Sequence, residues 1–209
     1  MSVLSDSEII KCLNDRIIDI NPLVLNNIQP SSIDLTLSDE IEIITSNETL
    51  DLSQVKNTEV LDRLVLKSKI GDGYILEPGC MVLGYTKEEL CFTTQVNGRI
   101  CNRNSLARWG LDASLGHYIN PNFKGRMPLV IRNVGPLKLI LHSDMKICQL
   151  ELHLLSFSSI RNYENRHDYA AFKGSIPSEW EEKFEKDSKG MNSTLSDYLH
   201  ERITSHRSK

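Results

Sequence analysis

The sequence has no Cys-x-x-Cys pair, no excess of positive charge, no long apolar run and few aromatic residues, and each shortage removes a class of function. Its five cysteines, Cys12, Cys80, Cys91, Cys101 and Cys148, stand far apart, and no His-x-Glu precedes a cysteine pair. Neither a structural zinc site nor the ligand set of a zinc-dependent deaminase is therefore legible, so no metal ligands are assigned. Scattered thiols of this kind read as the reduced thiols of a cytoplasmic protein. Lys and Arg total 24 against 28 Asp and Glu, a formal net charge of −4. That is the opposite of the basic stripe with which a nucleic-acid binder neutralises many phosphates, so no nucleic-acid partner is expected. No stretch approaches the roughly 18 apolar residues of a membrane span, and MSVLSDSEII offers neither a basic n-region nor an apolar h-region. The expectation is a protein with no membrane association and no secretion signal. What remains is a chain of 209 residues, 40% hydrophobic and 25% charged, enough for one sizeable core.

The patterning begins with a short helix. Ser5 is placed to cap it, Glu8 stands in capping-box position, and Ile9, Ile10 and Leu13 are expected on one side before a stop near Asn14 and Asp15. From there to about residue 160 short alternating or apolar runs follow one another: Ile33–Leu37, Glu40–Thr45, Tyr74–Leu76, Met81–Thr86, Gly98–Cys101, Leu129–Asn133, Leu137–Leu141 and Lys146–Leu154. Turn signals such as Glu77-Pro78-Gly79 and Val134-Gly135-Pro136 separate them. Many short strands at this spacing predict an all-β sandwich or barrel. Beyond it, residues 161–177 read as a mobile segment. Trp180 and Phe184 mark a short charged helix, and Leu195, Leu199 and Ile203 form one stripe of a second, terminal helix over 193–206.

Against this acidic background one stretch stands out. CNRNSLARWG places Arg103, Asn104, Ser105 and Arg108 within a single turn. Guanidinium forks, a hydroxyl and nearby backbone N–H groups can together cradle a phosphate. Two arginines and a serine in proximity also make an ordinary surface cluster. Asn120, Pro121 and Asn122 read as a plain turn.

Taken in order, VLSDSEIIKCLNDRIIDI, QPSSIDLTLSDEI, YILEPGCMVLGYTKEEL, RNSLARWGL, INPNFKGRMPLVIRN, MKICQLELHLLS and the tail YENRHDYAAFKG resemble the dCTP deaminase family of the dUTPase-like superfamily. The resemblance runs from about residue 3 to 174, which is read as one domain, 1–174, followed by a partly helical C-terminal extension, 175–209. It implies a distorted β-barrel or jelly roll, a homotrimer, and a deoxynucleoside triphosphate, dCTP or dUTP, held at the subunit junctions. It also implies that Mg²⁺ enters only as the counter-ion of the triphosphate.

The resemblance further implies roles for particular residues. The family's Arg-Ser-Ser-Leu-Ala-Arg turn holds phosphates; here Arg103, Ser105 and Arg108 match and Asn104 replaces a serine. The family's Ile-Asp-Pro turn sets a carboxylate on the sugar hydroxyl, and here it is Asn120. The next strand carries a glutamate that moves protons as water attacks C4 of cytosine and ammonia leaves. Val130 stands in its place. Hydrolysis of dUTP in related members depends on the carboxylate that is Asn120 here. Both chemistries lose their principal acid or base, and no catalytic residue is assigned. Tyr163 resembles a nucleotide-contacting tyrosine, Lys173 occupies a glutamine's place, and the family's upstream lysine falls at Ala170 or Ala171.

Three neighbours are weighed as replacements for the lost group. Asp112 reads as a loop residue, Glu151 as an outward strand position and His117 as a turn histidine. The leading expectation is a trimeric nucleotide-binding protein with weak or lost deamination. The alternatives are a working dCTP deaminase or dUTP diphosphatase with a relocated acid–base group, and a non-catalytic trimeric interaction module.

Overall fold

The computed structural model describes residues 3–46, 48–51, 64–114 and 118–159. Helix α1 (Asp6–Asn14) starts as its capping box dictates: the Ser5 N–H donates to Glu8 Oε2 at 2.8 Å, which satisfies a backbone donor the helix cannot. The helix buries Ile9 and Cys12, with Leu13 partly covered, while Ile10 is 46% exposed. The expected stripe is thus corrected by one position, because Ile10 lies about 100° around the helix from Ile9 and further still from Cys12, the i, i+3 pair that meets the core.

Every strand pairing is antiparallel. Short β1 (Ile18–Asn21), a 3-10 turn (Leu25–Asn27) and β2 (Ile28–Gln29) lead into β3 (Ser32–Ile44). Then come β4 (Val65–Lys69), β5 (Tyr74–Leu76), β6 (Met81–Phe92) and β7 (Val96–Asn102). After the one-turn helix α2 (Asn104–Ala107), the chain continues through β8 (Leu111–Asp112), β9 (Tyr118–Ile119), β10 (Lys124–Asn133), β11 (Leu139–Leu141) and β12 (Lys146–Leu154). The main sheet runs β8-β10-β6-β3-β12-β7-β9, with β1 on β6 and β2 and β4 on β3, and β5 and β11 form a separate pair. The sheet curls into a half-barrel, so the all-β barrel-like fold expected from the strand pattern is the one observed.

Two sequence runs, Ile33–Leu37 and Glu40–Thr45, form a single strand. A register irregularity between Leu37 and Ile41 bends β3 so that its first half pairs with β12 and its second with β4 and β6. β6 continues six residues past the apolar run, through Lys87, Glu88 and Glu89. Its buried Glu88 is not an interruption, because Thr36 donates to it through both its N–H (2.9 Å) and its hydroxyl (2.7 Å). Leu35, Leu37, Ile41, Leu90, Phe92, Leu129, Ile131 and Leu150 fill the interior at no more than 1% exposure. Each such apolar side chain contributes about 1.5–3 kcal/mol relative to an exposed one.

Among the described residues no helix is long and apolar enough to cross a membrane. The expected helices at 178–186 and 193–206, the segment 161–177 and the boundary between 174 and 175 lie outside the described residues.

Candidate functional site

Strand β7 delivers the chain to Arg103, and α2 makes one turn closed by the N–H groups of Leu106 and Ala107 on the Arg103 carbonyl (3.0 and 2.9 Å). Gly110 ends the turn at φ +87°, and a Cβ there would sit 2.4 Å from the Gly135 Cα. Only glycine permits both that conformation and that approach. The Val134 N–H then donates to the Gly110 carbonyl at 2.8 Å, which fastens the turn beside the exit of β10.

The four polar side chains of the turn divide. Asn104, Ser105 and Arg108 are exposed on its outer surface. Arg103 points inward: its Nε is 3.4 Å from Asp34 Oδ1 and its Nη1 donates to the Lys146 carbonyl at 3.1 Å. Asp34, only 3% exposed, also takes Lys146 Nζ at 3.1 Å and Gln149 Nε2 at 3.2 Å. A carboxylate so deep must be paired, and Arg103 supplies part of that pairing.

Strand β10 alternates. Met127, Leu129, Ile131 and Asn133 are buried, while Arg126, Pro128, Val130 and Arg132 lie on the opposite face and are half-buried. Val130 faces Leu83 across β6, and Arg132 faces Asp112 across β8. Arg132 Nη2 is 3.8 Å from Asp112 Oδ2. The other carboxylate oxygen of Asp112 accepts from Asn102 Nδ2, the Ser114 N–H and the Ser114 hydroxyl, each at 3.0 Å. Burial raises the Asp112 carboxyl, but the Ser114 N–H, the Asn102 amide, the Ser114 hydroxyl and Arg132 outweigh it and hold it below the ordinary carboxylate value. Asp112 is therefore half-buried on a short strand and not in a loop. It is an ionised, weakly basic hub whose Oδ1 is fully engaged.

Asn120 opens a turn in which the Phe123 N–H reaches the Asn120 carbonyl (3.3 Å), Asn122 takes φ 64°, and the Asn122 N–H donates to Thr93 O (3.0 Å). Thr93 precedes β7, whereas Arg103 follows it. At about 3.3 Å per residue the strand holds the two turns ~20 Å apart, so one chain does not bring Asn120 and Arg108 together. Glu151 does face outward, as expected. It is committed there to Cys101 Sγ (3.4 Å) and His153 Nε2 (3.2 Å), and burial first, then Glu151, pushes the Cys101 thiol up. His117, Tyr163 and Lys173 lie outside the described residues. Among the described residues no group of three or more His, Cys, Asp or Glu side chains is arranged to hold a metal ion.

Sequence reasoning passed over Asp34, Lys146 and Arg132. Asp34 had a signal, a single acid within the alternating run Ile33-Asp34-Leu35. Arg132 had none, since its partner on β8 is defined only by strand register.

Residues 3–155 match the family model described as dCTP deaminase-like. The chain belongs to the dCTP deaminase-like family. A "dCTP deaminase, dUMP-forming" from Coprothermobacter proteolyticus is 33% identical over 174 residues, 82% of this chain and 92% of the relative. One of the same name from Corynebacterium kroppenstedtii is 33% identical over 155 residues, 74% of this chain and 82% of the relative. The solved 2′-deoxycytidine 5′-triphosphate deaminase from Agrobacterium tumefaciens shares the fold with a TM-score of 0.57 at 17% identity, over 73% of this chain and 48% of that one. This dCTP deaminase-like chain thus spans about half the length of the solved structure but nearly all of the Coprothermobacter relative.

Proposed function

We propose that this protein binds a deoxynucleoside triphosphate, dCTP or dUTP, with its phosphates on Asn104, Ser105 and Arg108, and that its capacity to deaminate is weak or lost. The relatives are, by name, dCTP deaminases that form dUMP, and the exposed Asn-Ser-x-x-Arg turn retains neutral and charged donors for phosphate oxygens. The observation that carries the loss of chemistry is the face around Val130. Deamination adds water to C4 and expels ammonia, and both proton transfers need a group that gives and takes a proton, worth about 10²- to 10⁴-fold. Val130 offers none. Asp112, opposite Arg132 on that face, has its Oδ1 saturated and its basicity lowered, and Glu151 is tied to Cys101 and His153. The reading of an enzyme with a relocated acid–base group therefore finds no free candidate among these two.

The separation of Asn120 from Arg108 within one chain favours a site completed by a second subunit, in a homotrimer. Magnesium enters as the counter-ion of the triphosphate, because Asp34 and Asp112, the acids joined to Arg103 and Asn102 at the root of the turn, already hold chain donors and cations. Tyr163 and Lys173 are assigned to the same nucleotide, the extension 175–209 is set apart from the binding domain, and the protein is placed in the cytoplasm. Incubation with dCTP and dUTP, with ammonia and pyrophosphate measured alongside calorimetric binding, tests the proposal. Binding with turnover far below enzymatic rates is expected, and robust turnover overturns it.

A further inference from the structure

Arg132 Nε is buried and has no hydrogen-bond partner among the described residues. A guanidinium has donors only, and a buried donor without an acceptor is costly. The rest of this guanidinium is not idle: Asp112 on the facing strand holds it at 3.8 Å, a contact long enough to leave Nη2 and Asp112 Oδ2 with capacity to spare. Asn102 and Ser114 fix Asp112 in turn. The result is a pair, its side chains 43% and 18% exposed, that offers Nη2 as a donor arm and Asp112 Oδ2 as an acceptor arm and is close to neutral in total. Beside it on the same face lie Val130 and Leu83, half-buried, and Met81, 39% exposed. Such a pair does not suit a phosphate, which Asp112 repels. It suits a flat, neutral edge that carries a donor next to an acceptor.

The location narrows the ligand. Asn102, which bonds Asp112, immediately precedes Arg103, and the Gly110–Gly135 contact seats the Arg108 turn against the end of β10. The pair is thus adjacent to the donors assigned to the phosphates. We propose that the Arg132–Asp112 pair reads the 3,4-edge of the pyrimidine base and sets the choice between cytosine and uracil. Cytosine presents a donor at position 4 and an acceptor at position 3, and uracil presents the reverse. Arginine donating to one ring position and aspartate accepting from the next satisfies one of these orders and opposes the other. This inference rests on the nucleotide-binding reading, and it makes Arg132 and Asp112 specificity-determining residues without giving either a proton to move.

The test is calorimetric titration of the full-length protein with dCTP, dUTP and their mono- and diphosphates, in wild type, Arg132→Gln and Arg132→Lys, with circular dichroism verifying that each variant is folded. The expected result is a preference of about tenfold or more between dCTP and dUTP in the wild type. That preference falls to within about threefold in Arg132→Gln and Arg132→Lys, because neither restores the planar fork, and the gain in affinity per added phosphate stays unchanged. Equal wild-type affinity for the two bases, retention of the preference in the folded variants, or a loss that grows with phosphate number would each overturn the inference while leaving nucleotide binding intact. Absence of binding by any of these nucleotides overturns both the inference and the reading beneath it.

Discussion

Arg103 and Asp34 form an ion pair, 3.4 Å from Nε to Oδ1, at the root of the exposed turn. The arginine nominated by sequence for phosphate binding is, within this chain, a strut that ties α2 to β3 and β12. Lys146, through its ammonium on Asp34 and its carbonyl on Arg103, completes the join. Replacing the carboxylate leaves Arg103 and Lys146 facing each other without their anion. Asp34→Ala is expected to lower stability by about 3 kcal/mol, the low end for broken buried pairs because both cations are partly exposed. Urea unfolding measures this, and an unchanged midpoint would show that the pair is energetically idle.

Gly110 supplies the second anchor of the turn. Gly110→Ala combines a side chain at φ +87° with a Cβ 2.4 Å from the Gly135 Cα, and backbone cannot yield as a side-chain tip does. The expected loss is ~3 kcal/mol from strain and overpacking together. Triphosphate affinity should fall with it, since the donors on Ser105 and Arg108 depend on the seating of the turn. A variant of wild-type stability would contradict the backbone contact.

Asp112 gives the protein an acid-sensitive limb. Its carboxyl is held below the ordinary value in the folded state, so the stability it contributes is fully present above the unfolded value of roughly pH 4. It disappears as pH falls through the lower, folded value. Asp112→Asn should flatten the stability profile below about pH 4, as followed by thermal melts across pH. An identical acid limb in the variant would assign it to other carboxylates.

The fold was largely legible because it rests on local signals: alternation for the strands, a capping box for α1, and glycine and proline turns between runs. What could not be read from local pattern was register. The joining of Ile33–Leu37 to Glu40–Thr45 depends on a bend that only the partner strands explain, and β6 passes through Glu88 because Thr36, 52 positions away, satisfies it. The site divided in the same way. The Arg103–Arg108 cluster announced itself by composition, but its partition into one inward strut and three outward side chains follows from a buried acid on another strand. Arg132 was silent, since nothing in Val130-Ile131-Arg132-Asn133 shows that Asp112 lies opposite.

Arg108 is the exposed cation of the turn and, among the described residues, has no strut role comparable to that of Arg103. Arg108→Ala is expected to weaken triphosphate binding by ~1.5–3 kcal/mol, the range for hydrogen bonds to charged groups, with little change in melting temperature. Calorimetry with dCTP and dUTP checks it, and unchanged affinity would place the phosphates elsewhere.

The chemistry itself can be tested by restoring what is missing. Val130→Glu with Asn120→Asp returns a proton carrier to the half-buried face of β10 and a carboxylate to the turn before it. A glutamate at 130 would not be a lone buried charge, because Arg132 stands two residues along on the same face of the strand. The guanidinium helps the variant fold, and it also keeps the new carboxyl ionised, so abstraction of a proton from water is served better than donation to the leaving ammonia. Partial recovery is therefore expected: ammonia release from dCTP about 10²-fold above wild type, the lower end of what a positioned acid–base group supplies. A folded, nucleotide-binding double variant that releases no more ammonia than the wild type would show that the deficit lies beyond these two positions.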